Sequence, residues 1–487
     1  MNLPSNLGEL KASHDYKPKS IKNELRANLI HNIQNDMNSF PEIQGFEDTV
    51  IPDLERAILS GHNMLLLGLR GQAKTRIARL LVNLLDEYIP VLKASELMDD
   101  PLHPMSSAGK RIVEEQGDDA AIDWIHRSER FVEKLATPDV SIADLIGDVD
   151  PIKAANLKLP YSDERVIHFG LVPRAHRSIF VLNELPDLQA RIQVALFNIL
   201  QEGDIQIRGF KLRMPLDIQF IFTANPEDYT NRGSIVTPLK DRIESQILTH
   251  YPKTLDVAKA ITRQEARLSS DRKKSVQVPD ILEDFIELLS FNARESAYVA
   301  ENSGVSARMS ISAMENLIST AERRMLKNKE SDTTARLIDF WGVIPSLTGK
   351  LELVYEGEQN GPYEVALSII ESAMQELFLM HFRNPDQGGS GEESPYADVK
   401  DFFEQGGKVK LLNDASNKEY AKQLKKVNGL EALAKISDFD ASTYLTAMEL
   451  ILHGLSSFNV IEREIIDDEI QFSDPLSDIF GEDDALK

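Results

Sequence analysis

Lys74, Thr75, Asn183, Glu184 and Asn225 are the residues of this chain whose types and surroundings suit phosphate chemistry. Lys74 and Thr75 close the run Gly68-Leu69-Arg70-Gly71-Gln72-Ala73-Lys74-Thr75. In a run of this form backbone N–H groups converge on phosphate oxygens, the Lys reaches the outer phosphates and the Thr hydroxyl ligates Mg²⁺. The pattern G-x-x-x-x-G-K-[ST] asks for Gly where this chain has Ala73, so one methyl must fit where the backbone lies close to phosphate. Asn183 and Glu184 follow the apolar run Ser178-Ile179-Phe180-Val181-Leu182. Phosphoryl transfer to water uses a carboxylate pair at such a strand end, the first holding the hydrated Mg²⁺ and the second polarising the attacking water. Asn183 can accept a hydrogen bond from a metal-bound water but supplies no negative charge, which predicts weaker Mg²⁺ coupling rather than its loss. Glu184 is the candidate for activating water.

The elements that must position these residues are legible around them. Asn63–Leu67 reads as a strand and Ile77, Ala78, Leu80, Leu81 and Leu84 keep helical spacing, so the glycine run is a strand-to-helix turn. Gln219–Ala224 is another buried-strand pattern, ending in Asn225 and stopped by Pro226. Open parallel sheets bind ligands at the carboxyl ends of their strands, so three polar strand ends in this order describe one nucleotide crevice. Taken singly each has a plainer reading: Gly71 as a turn cap, Asn225 as a turn-initiating Asn before Pro. Between Glu184 and Asn225, Gln201–Arg213 alternates Ile205, Ile207 and Leu212 with polar residues around Arg208-Gly209, the pattern of a β-hairpin after a helix over Gln189–Leu200. A plain edge hairpin, blunted by Arg208, Lys211 and Arg213, fits those residues equally.

These motifs together resemble an AAA+ ATPase of the group containing MoxR proteins and the ATPase subunit of magnesium chelatase, from about Phe40 to about Leu326. Gly170-Leu171-Val172-Pro173-Arg174-Ala175-His176-Arg177 resembles the group's G-x-L-x-x-A-x-R lead-in, with Val172 in place of Leu, and Thr137-Pro138-Asp139 through Asp148 resembles the segment after its second helix. The resemblance implies an α/β fold: a P-loop AAA+ parallel-sheet core with a helical lid and a mostly helical C-terminal region. It implies ATP and Mg²⁺ as ligands, with Gly68, Arg70, Gly71, Gln72, Ala73, Lys74 and Thr75 on phosphate, Thr75 and Asn183 on the metal side, and Glu184 on water. It also implies Asn225 as the γ-phosphate sensor, Arg242 as an arginine finger offered to a neighbouring subunit, Arg308 as the second sensor on the lid, and Gly45 and Phe46 near the adenine. The hairpin would face a ring pore. Two arginines keep ordinary alternatives: Arg242 paired with Asp241 or Glu244, and Arg308 as a first-turn helix residue.

Composition narrows the function. At 487 residues the chain holds several domains, and 42% hydrophobic with 27% charged residues is usual for a soluble protein. There is no run of eighteen apolar residues and no basic-then-apolar start, which argues against secretion and membrane insertion. The absence of cysteine removes disulfides and thiolate chemistry and, with an ATP site, points to the cytoplasm. The ten histidines are scattered; His168 and His176 read as structural. A net charge of −24 opposes nucleic acid as main partner. It also weighs against the transcription-activator branch of AAA+ proteins, as does the want of a GAFTGA-type loop and a basic helix-turn-helix.

The expected organisation is an N-terminal helical segment over 1–39 with a helix near Ile21–Met37, striped by Leu25, Leu29, Ile30 and Ile33. The ATPase core spans 40–252, and its 86–162 stretch shows few strong strands beyond Tyr88–Leu92. A helical lid over 253–345 carries Leu282, Phe285, Ile286 and Leu289, then Ile311, Met314, Leu317 and Ile318 at helical spacing. A mostly helical region over 346–460, with a linker near 384–395, and an acidic tail over 461–487 complete the chain. The tail keeps Ile465, Ile466, Ile470, Phe472, Leu476, Ile479 and Phe480, which favours a segment packed on its own protein over a recognition segment.

The resulting functional reading is an ATP-hydrolysing ring, a self-assembled hexamer, that remodels or activates a protein carrying a von Willebrand factor A domain. Its alternatives are the motor subunit of a magnesium chelatase and a nucleotide-gated assembly switch with little hydrolysis.

Overall fold

The computed structural model describes residues 3–14, 16–161, 164–202, 205–207, 210–212, 214–226, 233–387, 394–435, 439, 443–466 and 469–475. Five parallel strands form its central sheet: β1 (Met64–Leu67), β2 (Phe131–Leu135), β3 (Ser178–Asn183), β4 (Ile218–Ala224) and β5 (Ser245–Leu248), in the order β5-β1-β4-β3-β2. Every residue of β3 and β4 is buried, as a parallel sheet covered on both faces requires. Alternate side chains go to opposite faces. Ile179, Val181, Ile221 and Ile247 pack with Leu25 and Leu29 of α1 (Ile21–Gln34), Leu54 of α2 (Val50–Ser60) and Ile77 of α3 (Lys74–Leu80). Phe180, Leu182, Phe220 and Phe222 pack with Ile192 and Leu196 of α4 (Ala190–Glu202). The register sets Leu67 beside both Ala224 and Leu248, and Leu135 beside Asn183, so the carboxyl ends line up along one edge. This is an open, all-parallel α/β sheet with helices on both faces, the core architecture that the AAA+ resemblance implies.

One expected boundary needs correction, and other expected elements gain their partners. Helix α1 stops at Gln34, three residues short of Met37, and buries Ile21, Leu25 and Leu29 while Ile33 is 46% exposed. The Tyr88–Leu92 strand exists but pairs antiparallel with Ile122–His126, outside the central sheet. One edge strand of the sheet is β2, whose half-buried Phe131-Val132-Glu133-Lys134 run has too weak an apolar pattern to announce itself. The hairpin pairs Ile205–Ile207 with Phe210–Leu212; Gly203, Asp204, Arg208, Gly209 and Arg213 lie outside the described residues.

The chain divides into two compact units, Met1–His250 and Tyr251–Lys487. The second is built on α5 (Leu255–Glu265), α6 (Asp280–Glu295), α7 (Arg308–Lys327), α8 (Pro362–His381) and α9 (Tyr444–Ser457). It also contains an antiparallel sheet of β6 (Val409–Leu412), β7 (Glu462–Ile466) and β8 (Glu469–Ser473), ordered β6-β8-β7. One hydrophobic cluster runs from Val276 to Phe472, so the segments read as lid and C-terminal region share a core. The acidic tail is therefore no tail up to Ser473: Ile465, Ile466, Ile470 and Phe472 lie in two strands of that sheet. Residues 476–487 and 388–393 of the expected linker lie outside the described residues. Among the described residues no helix is long and apolar enough to cross a membrane.

Candidate functional site

The glycine run turns tightly between β1 and α3. Gly71 has φ 75° and Ala73 φ 56°, both left-handed. Left-handed residues spaced this way turn successive N–H groups inward into an anion-binding concavity. Ala73 takes the conformation Gly would take freely, at a cost of about 1 kcal/mol. At Gly68 a Cβ would stand 2.0 Å from Thr249 Oγ1 and 2.2 Å from Gln72 Oε1, two atoms joined by a 2.8 Å hydrogen bond. The Lys74 ammonium donates to the carbonyls of Gly68 and Leu69 (2.9 Å for the latter) and to Asn225 Oδ1 at 2.7 Å. Thr75 lies in the first turn of α3 and is half-buried; Arg70 is exposed and Gln72 buried.

At the end of β3, Asn183 is anchored at both ends of its amide. Its Nδ2 donates to Glu133 Oε1 at 2.6 Å and its Oδ1 accepts from the Thr223 hydroxyl at 3.1 Å. The same hydroxyl accepts the Glu184 N–H at 3.1 Å, which fixes Glu184 in a left-handed conformation, φ 56° and ψ 50°. Non-glycine residues held in this region mark places where surrounding contacts override backbone preference. Glu133 Oε2 receives Arg79 Nε at 2.9 Å and Nη2 at 2.8 Å. Arg79 belongs to α3, the helix that begins with Lys74.

Gly45 is left-handed and its N–H donates to Glu47 Oε1 at 3.1 Å. Phe46 is buried and meets the His250 ring edge-on, centroids 4.9 Å apart, while His250 Nε2 contacts Thr49 Oγ1 at 2.8 Å. Arg242 pairs with Asp241 at 2.6 Å, donates to Gln201 Oε1 at 3.2 Å and lies 4.7 Å over the Phe197 ring. Arg308 opens α7 in the second unit, exposed, with its N–H on Ser306 Oγ at 3.2 Å. The structure thus joins Lys74 to Asn225, and Asn183 to Glu184 through Thr223. Arg242 sits in contacts within its own chain.

His176 is buried, its Nδ1 accepting the Asp217 N–H at 3.1 Å; burial, with Arg177 adding to it, pushes its pKa down to about 4. It is a structural acceptor. His168 is exposed and contacts Arg174 Nη2 at 3.2 Å.

Sequence reasoning missed Glu133, Arg79, Thr223 and Thr249. Thr223 carried a signal, a lone hydroxyl within the apolar β4 run; Glu133 and Arg79 read as surface charges.

Among known families, the sigma-54 interaction domain matches residues 160–247, under a fifth of the chain. The match covers the stretch holding Asn183, Glu184, Asn225 and Arg242, and it comes from the transcription-activator branch that the sequence weighed against. Similar solved structures include a candidate ATPase from Cytophaga hutchinsonii, 18% identical, covering 74% of this chain and 97% of that one at TM-score 0.30. Another is the complex of subunits BchI and BchD of magnesium chelatase, 19% identical, covering 66% and 98% at TM-score 0.34. A third is Hsp104 from S. cerevisiae, 14% identical, covering 63% and 50% at TM-score 0.35. None superposes well enough to bear on function, and the fold assignment stands on strand order and the glycine run.

Proposed function

We propose that this AAA+ chain binds ATP with Mg²⁺ and hydrolyses it slowly, as a ring that acts on a partner protein. The observation that carries the reading is the convergence of three strand ends: Lys74 Nζ lies 2.7 Å from Asn225 Oδ1, and Thr223, beside Asn225, bridges Asn183 and the Glu184 N–H. The residues fit the nucleotide. Two left-handed positions shape an anion concavity, a lysine sits over it, and Thr75 presents a hydroxyl in the next helical turn. Bound with the phosphates, Mg²⁺ would neutralise their charge. Lys74 then orients the outer phosphates, Asn225 reads the terminal one, and Glu184 takes a proton from water. Water activation by a fixed carboxylate raises turnover without tightening binding.

Glu184→Gln should therefore abolish Mg²⁺-dependent ATP turnover while a fluorescent ATP analogue binds with unchanged affinity. Equal turnover in wild type and variant would remove Glu184 from the mechanism; no binding by wild type would remove the site. The partner carrying a von Willebrand factor A domain rests on the MoxR resemblance, and the chelatase motor remains its alternative. Neighbouring genes separate the two: a von Willebrand factor A gene supports the first and porphyrin-synthesis genes the second.

A further inference from the structure

We infer that Glu133 is a positioning residue for the metal side of the proposed site, and that Asn183 and Glu133 form a matched pair in which the charge sits on β2 instead of on the end of β3. The inference rests on the nucleotide-site reading above. Asn183 is 8% exposed, so both ends of its amide need partners. A carboxylate accepts only, so the atom 2.6 Å from Glu133 Oε1 must be the amide nitrogen. On the other side the Thr223 hydroxyl already accepts the Glu184 N–H, leaving its own proton for Asn183 Oδ1. The two contacts agree: the amide oxygen is turned towards β4, the strand that leads to Asn225 and its contact with Lys74. An oxygen is what a metal-bound water needs; Glu133 ensures that the oxygen and not the NH₂ group faces that way.

The pairing also explains why an amide stands at position 183. An Asp there would set a second carboxylate oxygen about where Nδ2 now lies, 2.6 Å from Glu133. Two acceptor-only oxygens that close have no proton to share and repel one another, so the contact would be lost and one side chain would swing away. Glu133 cannot move freely to relieve this, because its other oxygen holds Arg79 of α3. A single charge shared across the pair is the stable arrangement, and an Asp at 183 is tolerated only when Glu133 is neutral.

The test is a four-way comparison of wild type, Glu133→Gln, Asn183→Asp and the double variant, with ADP affinity measured without metal and Mn²⁺ affinity of the ADP complex measured by electron spin resonance. Glu133→Gln should weaken Mn²⁺ about tenfold with metal-free ADP binding unchanged. Asn183→Asp alone should fail to tighten Mn²⁺, whereas the double variant should bind it at least as well as wild type. The proposal is overturned if Asn183→Asp alone tightens Mn²⁺ as much as the double variant, or if Glu133→Gln leaves Mn²⁺ affinity unchanged. Should Asn183→Asp not fold, recovery of folding in the double variant supports the pairing and failure of both counts against it. If wild type binds no ADP, the nucleotide-site reading itself falls, an outcome distinct from the others.

Discussion

Ala73 and Glu184 adopt the same left-handed backbone, φ 56°, for different reasons. Glu184 is fixed there by the Thr223 hydroxyl. Ala73 has no side-chain cap bond and simply stands where the motif has Gly. Ala73→Gly should relieve about 1 kcal/mol of backbone strain, offset in part by the freedom a Gly adds to the unfolded chain. Urea unfolding should thus show a small gain or no change, and tighter ATP binding if the methyl crowds phosphate; a loss above about 1 kcal/mol would show that the methyl packs usefully. Lys74, Glu184 and Asn225 were legible because each ends an apolar run or closes a glycine turn. Glu133 was not, because a charge in a half-buried edge strand looks like a solvent-facing residue until its neighbour across the ladder is known.

Helix α1 and strand β2 are clamped by an ion pair with almost no exposure. Arg130, just before β2, donates from both Nη atoms to the Glu24 oxygens at 2.7 Å, and from Nε to the Arg177 carbonyl at 2.9 Å. Their side chains are 1% and 4% exposed. Removing one partner strands the other charge, so Glu24→Ala should cost about 3–5 kcal/mol. Chemical denaturation checks it, and a loss below about 1 kcal/mol would show that water reaches Arg130. The pair also marks the limit of periodicity. Buried strands β3 and β4 were readable as apolar runs, but β2 pairs with β3 and β8 with β6, partners remote in sequence, and no local pattern fixes such pairings.

Each of the two units carries its own apolar core, and subunit assembly is the level at which Arg242 must be judged. Its contacts with Asp241, Gln201 and Phe197 have to give way if it is to complete a neighbour's site. A finger of this type contributes roughly 10³–10⁵ in rate. Arg242→Ala should bind ATP, assemble and turn over very slowly, and mixing it with inactive Lys74→Ala should restore part of the activity. A dead mixture in rings shown by native mass spectrometry to be mixed would end the shared-site idea.

The hydrogen bond between Gln72 and Thr249 bears on a different question, how the chain leaves the sheet. Thr249 follows β5 and stands one residue before the last of the first unit, while Gln72 lies within the glycine run. The bond is a tether between the glycine run and the exit of the unit, and Gly68 is what leaves room for it, since a Cβ there would strike both ends. The first glycine of the run is thus required by the tether even before any ligand arrives. Gly68→Ala should cost roughly 1–3 kcal/mol in nucleotide-free unfolding. An unaltered midpoint would mean that the tether carries no strain, and that slack in the loop absorbs the extra methyl.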